Sequence, residues 1–456
     1  MTTISNLNNS TGERIRVLIA PLDWGLGHAT RCIPIINQLI ALDCEVLIAS
    51  SGGQKSLLER EFPGIRSLEL PGYGIKYARG RWSTFLKLFI QIPKILTAIK
   101  RENHWLRTFL ARERLDLVIS DNRYGLHAEG VFSVFVTHQL CIQTPFGKGR
   151  FGRAAEQRLQ KMQYRYIDFF SRCWVPDLET GGTLAGRLSH PELFPHTDVR
   201  YIGILSRFSD NAGIRSSEGG VLSGENNEVL FREGEIPSSG GGALSRGAEG
   251  GFREEQDIDI LFLLSGPEPQ RSLLERQVVR ELRWFDGRAV IVRGLPGGRQ
   301  GISTKREEWE WAIERDKGRA NDIAAGSFEM ADVSVYSHLP AAALKKIMDR
   351  TSLVVSRAGY STIMDLAALG KRAVLIPTPG QSEQEYLGQY LAGRKMFLCV
   401  KQDGFSLPAM LEAARRFPFR ADEYSGRPGA GRRETDLLDR EIREILAQIR
   451  GGSAFG

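Results

Sequence analysis

The sequence predicts an α/β protein with two parallel β-sheets, one in each half of the chain, and helices on both faces of each sheet. Short apolar runs bounded by glycine or proline are typical of buried strands, and they alternate with segments of helical periodicity in both halves. The first such unit, a strand, a helix and a strand, lies within residues 16–49. Because units of this length join parallel neighbours, we expect parallel sheets throughout.

The apolar runs place the strands in chain order. A strand at 16–20 leads through a glycine-containing loop at 23–28 to a helix at 33–42 and a strand at 45–49. Further strand-like runs lie at 116–120, 133–137, 172–176 and 199–203, and then at 258–264, 289–293, 333–336, 353–356 and 373–377. A final helix over 434–450 is amphipathic, with one apolar stripe formed by Leu437, Leu438, Ile442, Ile445 and Leu446.

These elements divide the chain into an N-terminal domain at 1–207, a C-terminal domain at 257–416 and a tail at 417–456. Between the domains, 26 of the 48 residues at 209–256 are Gly, Ser or Glu. Such a composition buries little apolar surface, so we predict a low-complexity, disordered insertion at 208–256. A second insertion at 301–330 is charged and has no clear strands.

Composition excludes several classes of protein. A hydrophobic content of 42% and a charged content of 25% are ordinary for a folded globular chain. The five cysteines form no C-x-x-C pair, which argues against a secreted disulfide scaffold and a cysteine zinc site. Neither a signal-peptide segment nor an apolar run long enough to span a bilayer occurs, so we expect a cytoplasmic protein. The net charge of +7 hints at anionic partners.

The first chemical motif is Trp24-Gly25-Leu26-Gly27-His28, directly after the first strand. Glycines there let the backbone turn tightly and approach a ligand. His28 would lie near a helix N-terminus, which lowers the proton affinity of an imidazole and suits a neutral base. An ordinary turn with a capping histidine remains an equal alternative. The motif is not a dinucleotide fingerprint, because the later glycine of G-x-G-x-x-G is missing.

Two further motifs follow consecutive strands of the second half. The segment 354–366 ends a strand at Ser356 and continues through Arg357 and Gly359 to Thr362 and Asp365. It predicts a capped helix whose N–H groups form an anion site, with Asp365 able to bind a ribose diol. The segment 376–386 carries amides and carboxylates suited to reading sugar hydroxyls, namely Gln381, Gln384 and Glu385. Each motif alone also fits a solvated or capped helix start.

Polar residues follow two strands of the first half as well. Asp121 and Arg123 come after the strand at 116–120, and His138 comes after the strand at 133–137. Because carboxyl ends of parallel strands share one edge, we expect these side chains near the ligand. Asp121 and His138 are candidates for acceptor contacts or a back-up base, and a structural hydrogen-bond role is equally open.

The two motifs of the second half, about 20 residues apart, resemble the carboxyl-terminal donor domain of family 28 glycosyltransferases. The shared patterns are S-R-x-G-x-x-T-x-x-[DE]-[LI] at 356–366 and I-P-x-x-x-x-x-[EDR]-Q at 376–384. The glycine–histidine motif is similar to the family's amino-terminal loop. The resemblance implies the GT-B fold, in which two Rossmann-like domains face each other across a cleft.

The resemblance also implies roles for individual residues. Asp365 would hold the nucleotide ribose, and Gln384 and Glu385 would contact the donor sugar. The diphosphate would lie at Ser356, Arg357, Gly359 and Thr362. The uracil would lie at His338 and Leu339. Arg207 would be the basic residue that ends the crossing between the domains. Ser265 and Gly266 match the family's phosphate loop only in part, and Arg293 would add charge there. The loop histidine His28 would act as base or organise the site, with Gly25, Gly27, Arg123 and His138 on the acceptor side.

No metal and no cofactor are expected, since the only Asp-x-Asp, at 257–259, lies at the start of a strand. The segment 72–114 holds ten Lys or Arg and two Glu among apolar residues, and 148–172 adds seven more basic residues. Such a stretch suits an anionic membrane surface, on the inner face of the cytoplasmic membrane. An ordinary solvated helix face is the alternative, and nucleic-acid binding is not indicated.

Together these observations predict an enzyme, a hexosyltransferase. It would move a hexose or N-acetylhexosamine from a UDP-sugar to a hydroxyl acceptor, with inversion and without metal, and a lipid-linked acceptor is one option. Two alternatives stay open. One is a UDP-sugar epimerase or hydrolase of the same fold, and the other is a nucleotide-sugar-binding protein without catalysis.

Overall fold

The computed structural model describes residues 14–74, 91–142, 149–209, 258–297, 332–420 and 430–451. Within them the chain forms two parallel sheets, which confirms the predicted fold class. The predicted insertion at 301–330 and all but the first two residues of the one at 208–256 lie outside the described residues.

The first sheet has seven strands in the order β3-β2-β1-β4-β5-β6-β7. Its strands are β1 (Arg16–Pro21), β2 (Glu45–Ser50), β3 (Arg66–Glu69), β4 (Leu117–Asp121), β5 (Phe132–Val136), β6 (Arg172–Val175) and β7 (Asp198–Tyr201). The helices are α1 (Leu26–Ala41), α2 (Gly52–Glu61), α3 (Ile92–Leu110) and α4 (Arg150–Ile167). The central strand β1 pairs with β2 and β4, so the strand order reverses there.

The second sheet has six strands in the order β10-β9-β8-β11-β12-β13. Its strands are β8 (Ile258–Leu263), β9 (Arg288–Val292), β10 (Asp332–Tyr336), β11 (Thr351–Ser356), β12 (Ala373–Leu375) and β13 (Leu398–Cys399). The helices are α5 (Gln270–Leu282), α6 (Ala341–Asp349), α7 (Tyr360–Ala368), α8 (Ser382–Gly393), α9 (Leu407–Arg416) and α10 (Ala430–Arg450). The order reverses at β8, which pairs with β9 and β11. Reversals of this kind mark where open parallel sheets bind ligands.

Helix α1 begins at Leu26, seven residues before the start that the apolar periodicity predicts. The reason is Gly25, whose φ of 99° turns the chain from the end of β1 directly into the helix. His28 therefore lies in the first turn of α1 and not in a loop. The correction matters for the site, because it brings the N-terminus of a helix to the carboxyl edge of the sheet.

The apolar core joins the two halves. One contiguous cluster of buried residues extends from Val17 and Ile19 of β1 to Val354 of β11, and includes Ile442 and Ile445 of α10. Helix α10 follows the second sheet in the chain but packs on the first half, where Gln38 donates a hydrogen bond to Asp439. The fold therefore closes with its last helix bridging back to the domain in which the chain began.

A buried ion pair holds α10 against the first sheet. Arg172, at the start of β6, is 6% exposed, and its guanidinium lies 3.1 Å from Glu441 and 2.9 Å from Glu444. The Glu441 side chain is 3% exposed, whereas that of Glu444 is 39% exposed.

In the part of the chain that the structure describes, no helix is both long and apolar enough to cross a bilayer.

We predict that Glu441→Ala lowers the free energy of unfolding by about 3 kcal/mol, because the buried guanidinium of Arg172 loses a buried carboxylate partner. Equilibrium urea unfolding measures the change. The matched control is Glu444→Ala, which removes a half-exposed partner of the same guanidinium and is expected to cost less than about 1 kcal/mol. Equal losses from the two variants would contradict this assignment of the α10 contact.

Candidate active site

A cavity of about 500 Å³ lies between the carboxyl edges of the two sheets. It is lined by residues that follow β1, β4 and β5 on one side and β8 to β12 on the other. The predicted site residues in its lining are Gly25, Gly27, His28, His138, Arg207, Ser265, Gly266, His338, Leu339, Gly359, Thr362, Gln381 and Gln384. The structure thus gathers the three sequence motifs around one space.

Two helix N-termini meet at this cavity. Helix α1 begins after Gly25 and α7 begins after Gly359, and the Ser361 hydroxyl of α7 donates a hydrogen bond of 2.6 Å to the Gly27 carbonyl. A Cβ added at Gly27 would lie 3.0 Å from the Ser361 Oγ, so this close approach explains the glycine. Both N-termini carry partial positive charge, which makes the space between them favourable for an anion.

His28 contacts a buried carboxylate. Its Nδ1 lies 3.0 Å from the Oδ1 of Asp121 at the end of β4, and 2.9 Å from a terminal nitrogen of Arg31. Burial lowers the pKa of His28 below 6.5, and the Asp121 charge only partly offsets this effect. The ring is therefore neutral at pH 7, although it stands beside an acid.

Asp121 and Arg31 form a buried pair behind the histidine. Their side chains are 1% and 2% exposed, and Arg31 Nε donates to Asp121 Oδ2 at 2.5 Å while a second nitrogen donates to Oδ1. Burial alone would raise the pKa of the Asp121 carboxyl, but Arg31 and His28 lower it to about 2. Both oxygens of Asp121 are thus engaged. The structure places this carboxylate behind His28 and outside the cavity lining, and not as a base facing an acceptor.

The same network crosses to the other half of the chain. A terminal nitrogen of Arg31 lies 3.0 Å from His138 Nδ1, and His138 Nε2 lies 2.8 Å from Glu383 Oε1 in the first turn of α8. The His138 ring stacks on Tyr360 of α7 with centroids 4.1 Å apart. Both ring nitrogens of His138 are engaged by protein groups in this structure, which favours the structural hydrogen-bond role that the sequence left open.

Asp365 does not line the cavity. Its Oδ1 accepts hydrogen bonds from the Ser206 hydroxyl at 2.9 Å and the Arg207 amide at 3.2 Å, and its Oδ2 accepts from Arg207 Nε at 2.9 Å. Burial raises the pKa of Asp365, an effect that Arg207 partly opposes. Where the sequence predicted a ribose contact, the structure has a contact to the crossing between the domains.

Five further predicted residues do not line the cavity, and each contacts another protein group. Arg123 pairs with Glu102 at 2.9 Å, Arg293 with Glu275 at 2.5 Å, and Arg357 donates to the Gln270 carbonyl at 2.7 Å. Ser356 donates to a neighbouring carbonyl, and Glu385 accepts from the Gly380 amide at 3.0 Å. These side chains support the loops around the cavity instead of facing a ligand.

Sequence reasoning missed Arg31 and Glu383. Arg31 stands three residues after His28, a spacing that puts both on one face of a helix once α1 is known to begin at Leu26. Glu383 lies inside the 376–386 motif, but nothing in the sequence relates it to His138, 245 residues away.

His338 lines the cavity on the side formed by the second sheet and its helices. Burial and the charges of Arg207 and Arg60 lower the pKa of His338 to about 4, so that this ring is also neutral.

We predict that NMR titration of the histidine ring protons gives His28 a pKa below 6.5, because burial disfavours the imidazolium more than Asp121 favours it. A free histidine peptide in the same buffer serves as the reference, with the ordinary pKa of about 6.5. A His28 pKa at or above that of the peptide would show that the Asp121 charge dominates, contrary to the expectation.

Comparison with known proteins gives the family. Residues 320–418 match the model of the glycosyltransferase family 28 C-terminal domain. Over 241 residues the chain is 30% identical to the UDP-N-acetylglucosamine--N-acetylmuramyl-(pentapeptide) pyrophosphoryl-undecaprenol N-acetylglucosamine transferase of an Exiguobacterium species, covering 47% of this chain and 67% of the relative. The enzyme of the same name from Solibacter usitatus is 28% identical over 33% of this chain and 47% of its own length.

Solved structures show the same fold at low sequence identity. The calicheamicin glycosyltransferase CalG4 superimposes with a TM-score of 0.52 at 10% identity, covering 97% of this chain and 100% of that chain. The glycosyltransferase SnogD from Streptomyces nogalater gives 0.50 at 15% identity, covering 96% and 100%. With the two facing sheets, the matched donor-domain model and the relative in the Exiguobacterium species, the chain belongs to glycosyltransferase family 28 and is a glycosyltransferase of the GT-B fold.

Proposed function

We propose that this enzyme transfers a hexose or N-acetylhexosamine from a UDP-sugar to a hydroxyl acceptor, with inversion and without a resident metal. The observation that carries the proposal is the neutral His28, held by Asp121 at a cavity between two helix N-termini. The names of the relatives in the Exiguobacterium species and in Solibacter usitatus support it, since they specify UDP-N-acetylglucosamine and a pyrophosphoryl-undecaprenol acceptor.

The donor would occupy the side of the cavity formed by the second half. Gln384 lines it with a fixed orientation, because its oxygen accepts from the Thr378 amide at 2.9 Å and its nitrogen donates to Gln381 at 2.5 Å. Two linked amides suit the paired donor and acceptor character of sugar hydroxyls. His338 and Leu339 would border the base of the nucleotide.

The charge on the departing diphosphate would be met by the N-termini of α1 and α7 and by Arg207. Arg207 lines the cavity, and Asp365 holds its guanidinium through Nε. Fixed dipoles and a fixed guanidinium stabilise developing negative charge without reorganisation during the reaction. Asp365 would thus act on the donor through Arg207.

Because these groups would meet the charge without a resident metal, we expect transfer to continue when EDTA is present.

The base would be His28 Nε2. His28 Nδ1 lies between Asp121 Oδ1 and an Arg31 nitrogen that also donates to that oxygen. The mechanism uses the tautomer in which Nδ1–H donates to Asp121, so that Nε2 is left as the acceptor for the proton of the attacking hydroxyl. The acceptor oxygen attacks the anomeric carbon, the bond from that carbon to the UDP oxygen breaks, and the hydroxyl proton passes to His28. Asp121 then stabilises the imidazolium. Attack on the face opposite the leaving group inverts the anomeric configuration.

We predict that His28→Ala lowers kcat by about 10²–10⁴-fold, the range for loss of a general base, while the donor KM changes by no more than about threefold. Initial rates of UDP release in the presence of acceptor measure both constants. The matched control is His196→Ala, an exposed histidine that should leave the rates unchanged. Unchanged turnover by His28→Ala would remove His28 from the mechanism, and UDP release by the wild type without acceptor would favour hydrolysis over transfer.

We also propose that basic helices dock the enzyme on the inner face of the cytoplasmic membrane, where a lipid-linked acceptor would be reached. The exposed residues of α3 include Lys100, Arg101 and Arg107, and those of α4 include Arg158 and Lys161. Cationic helix faces bind anionic lipid headgroups at about 1 kcal/mol per basic residue. The apolar residues that the sequence places at 82–90 lie outside the described residues.

We predict that the double variant Lys100→Gln/Arg101→Gln weakens binding to anionic vesicles by about 30-fold, from the loss of two basic contacts. Vesicle sedimentation at low salt, repeated at high salt, measures the binding. Arg415→Gln/Arg416→Gln on α9 is the control, since it removes the same charge from side chains that are 78% and 80% exposed. Equal losses in both double variants, or equal binding to neutral vesicles, would refute a specific docking face.

A further inference from the structure

The first turn of α8 joins the donor side of the cavity to the network around His28. Glu383 lies between Gln381 and Gln384, which both line the cavity, and its carboxylate lies 2.8 Å from His138 Nε2. Glu383 belongs to the half of the chain with the second sheet, and His138 follows β5 of the first sheet. The contact therefore crosses the gap between the two domains.

The hydrogen-bond pattern fixes the state of His138. An arginine only donates, so the contact of 3.0 Å between Arg31 and Nδ1 requires Nδ1 to accept. The proton of a neutral ring is then on Nε2, where it donates to Glu383. Stacking on Tyr360 holds the ring plane. His138 thus has one orientation and one tautomer while Glu383 is in place.

The chain of contacts continues from His138 to His28. Arg31 binds His138 through one terminal nitrogen and binds Asp121 through Nε and the other terminal nitrogen. Asp121 in turn contacts His28. Because Arg31 is 2% exposed, solvent offers it little replacement for a lost partner. A change at Glu383 is therefore transmitted through His138 and Arg31 to Asp121, which contacts His28.

We propose that the Glu383–His138 contact is an interdomain latch that positions the catalytic base. The inference rests on the proposed function and assigns Glu383, His138 and Arg31 as positioning residues. Glu383 orients His138, His138 orients Arg31, and Arg31 sets the Asp121 carboxylate against His28. The latch makes alignment of the base depend on the position of α8.

The test compares Glu383→Ala with Glu383→Gln. Loss of the contact in Glu383→Ala lowers kcat by about tenfold or more, as expected for a partly buried hydrogen bond to a charged group, with donor KM within about threefold. Glu383→Gln keeps an oxygen that accepts the His138 proton, and it restores kcat to within about threefold of wild type. The matched control is Tyr390→Phe, which removes another contact between α8 and the first half, the hydroxyl contact of 2.9 Å to Thr183, and leaves kcat unchanged.

A readout independent of turnover accompanies the kinetics. The ¹⁵N shifts of the His138 ring report a proton on Nε2 in the wild type and a mixed or changed tautomer in Glu383→Ala. Wild-type kcat in Glu383→Ala, equal impairment in both Glu383 variants, a rise confined to the donor KM, or a wild-type proton on Nδ1 would each overturn the latch. Absence of transfer by the wild-type enzyme itself would instead overturn the proposed function.

Discussion

The buried ion pair between Asp121 and Arg31 is the contact on which the rest of the site depends. Asp121 ends β4 and Arg31 lies in the second turn of α1, and both side chains are almost fully buried. A buried charge that loses its partner costs several kcal/mol, so the two groups hold the strand end and the helix in a fixed relation. The position of His28, its contact with Asp121 and the direction of the α1 N-terminus all follow from that relation.

The cleft has a second structural requirement, which is that the two domains stay together around it. Several contacts that hold them bind a side chain of one half to backbone of the other, such as Ser361 to the Gly27 carbonyl and Tyr360 to the Pro176 carbonyl at 2.7 Å. Asp365 adds the crossing segment through Ser206 and Arg207. Such contacts need close approach, which explains the glycine at 27 and the small residues near it.

The sequence was sufficient for the fold class because most strands of the two sheets are continuous apolar runs. The short strands β3 (Arg66–Glu69) and β13 (Leu398–Cys399) were not predicted. The sequence was also sufficient to bring Gly25, Gly27, His28 and the 356–366 and 376–384 patterns to strand ends, where parallel topology puts them at one edge. The start of α1 was predicted too late because glycines and a tryptophan interrupt the periodicity, although Gly25 turns directly into the helix.

The parts that could not be predicted are those decided by distant partners. Whether Asp365 faces a cavity or the crossing depends on Ser206 and Arg207, which lie 159 and 158 residues away. The pairing of Arg31 with Asp121 spans 90 residues, and a lone arginine in a helix carries no mark of it. Arg123, Arg293 and Arg357 likewise follow strands as ligand-binding arginines do, yet each donates a hydrogen bond to a group from elsewhere in the fold.

The proposed base of glycosyl transfer is a neutral His28, kept so by burial beside Asp121. The most direct measurement is the pH dependence of kcat/KM for transfer, which reports the ionisation of the free enzyme. If His28 is the base, activity falls on the acid side through a single ionisation below pH 6.5, at the pKa that NMR gives for His28. An acid limb above pH 6.5, or one displaced from the His28 titration, would contradict it and assign the proton transfer to another group.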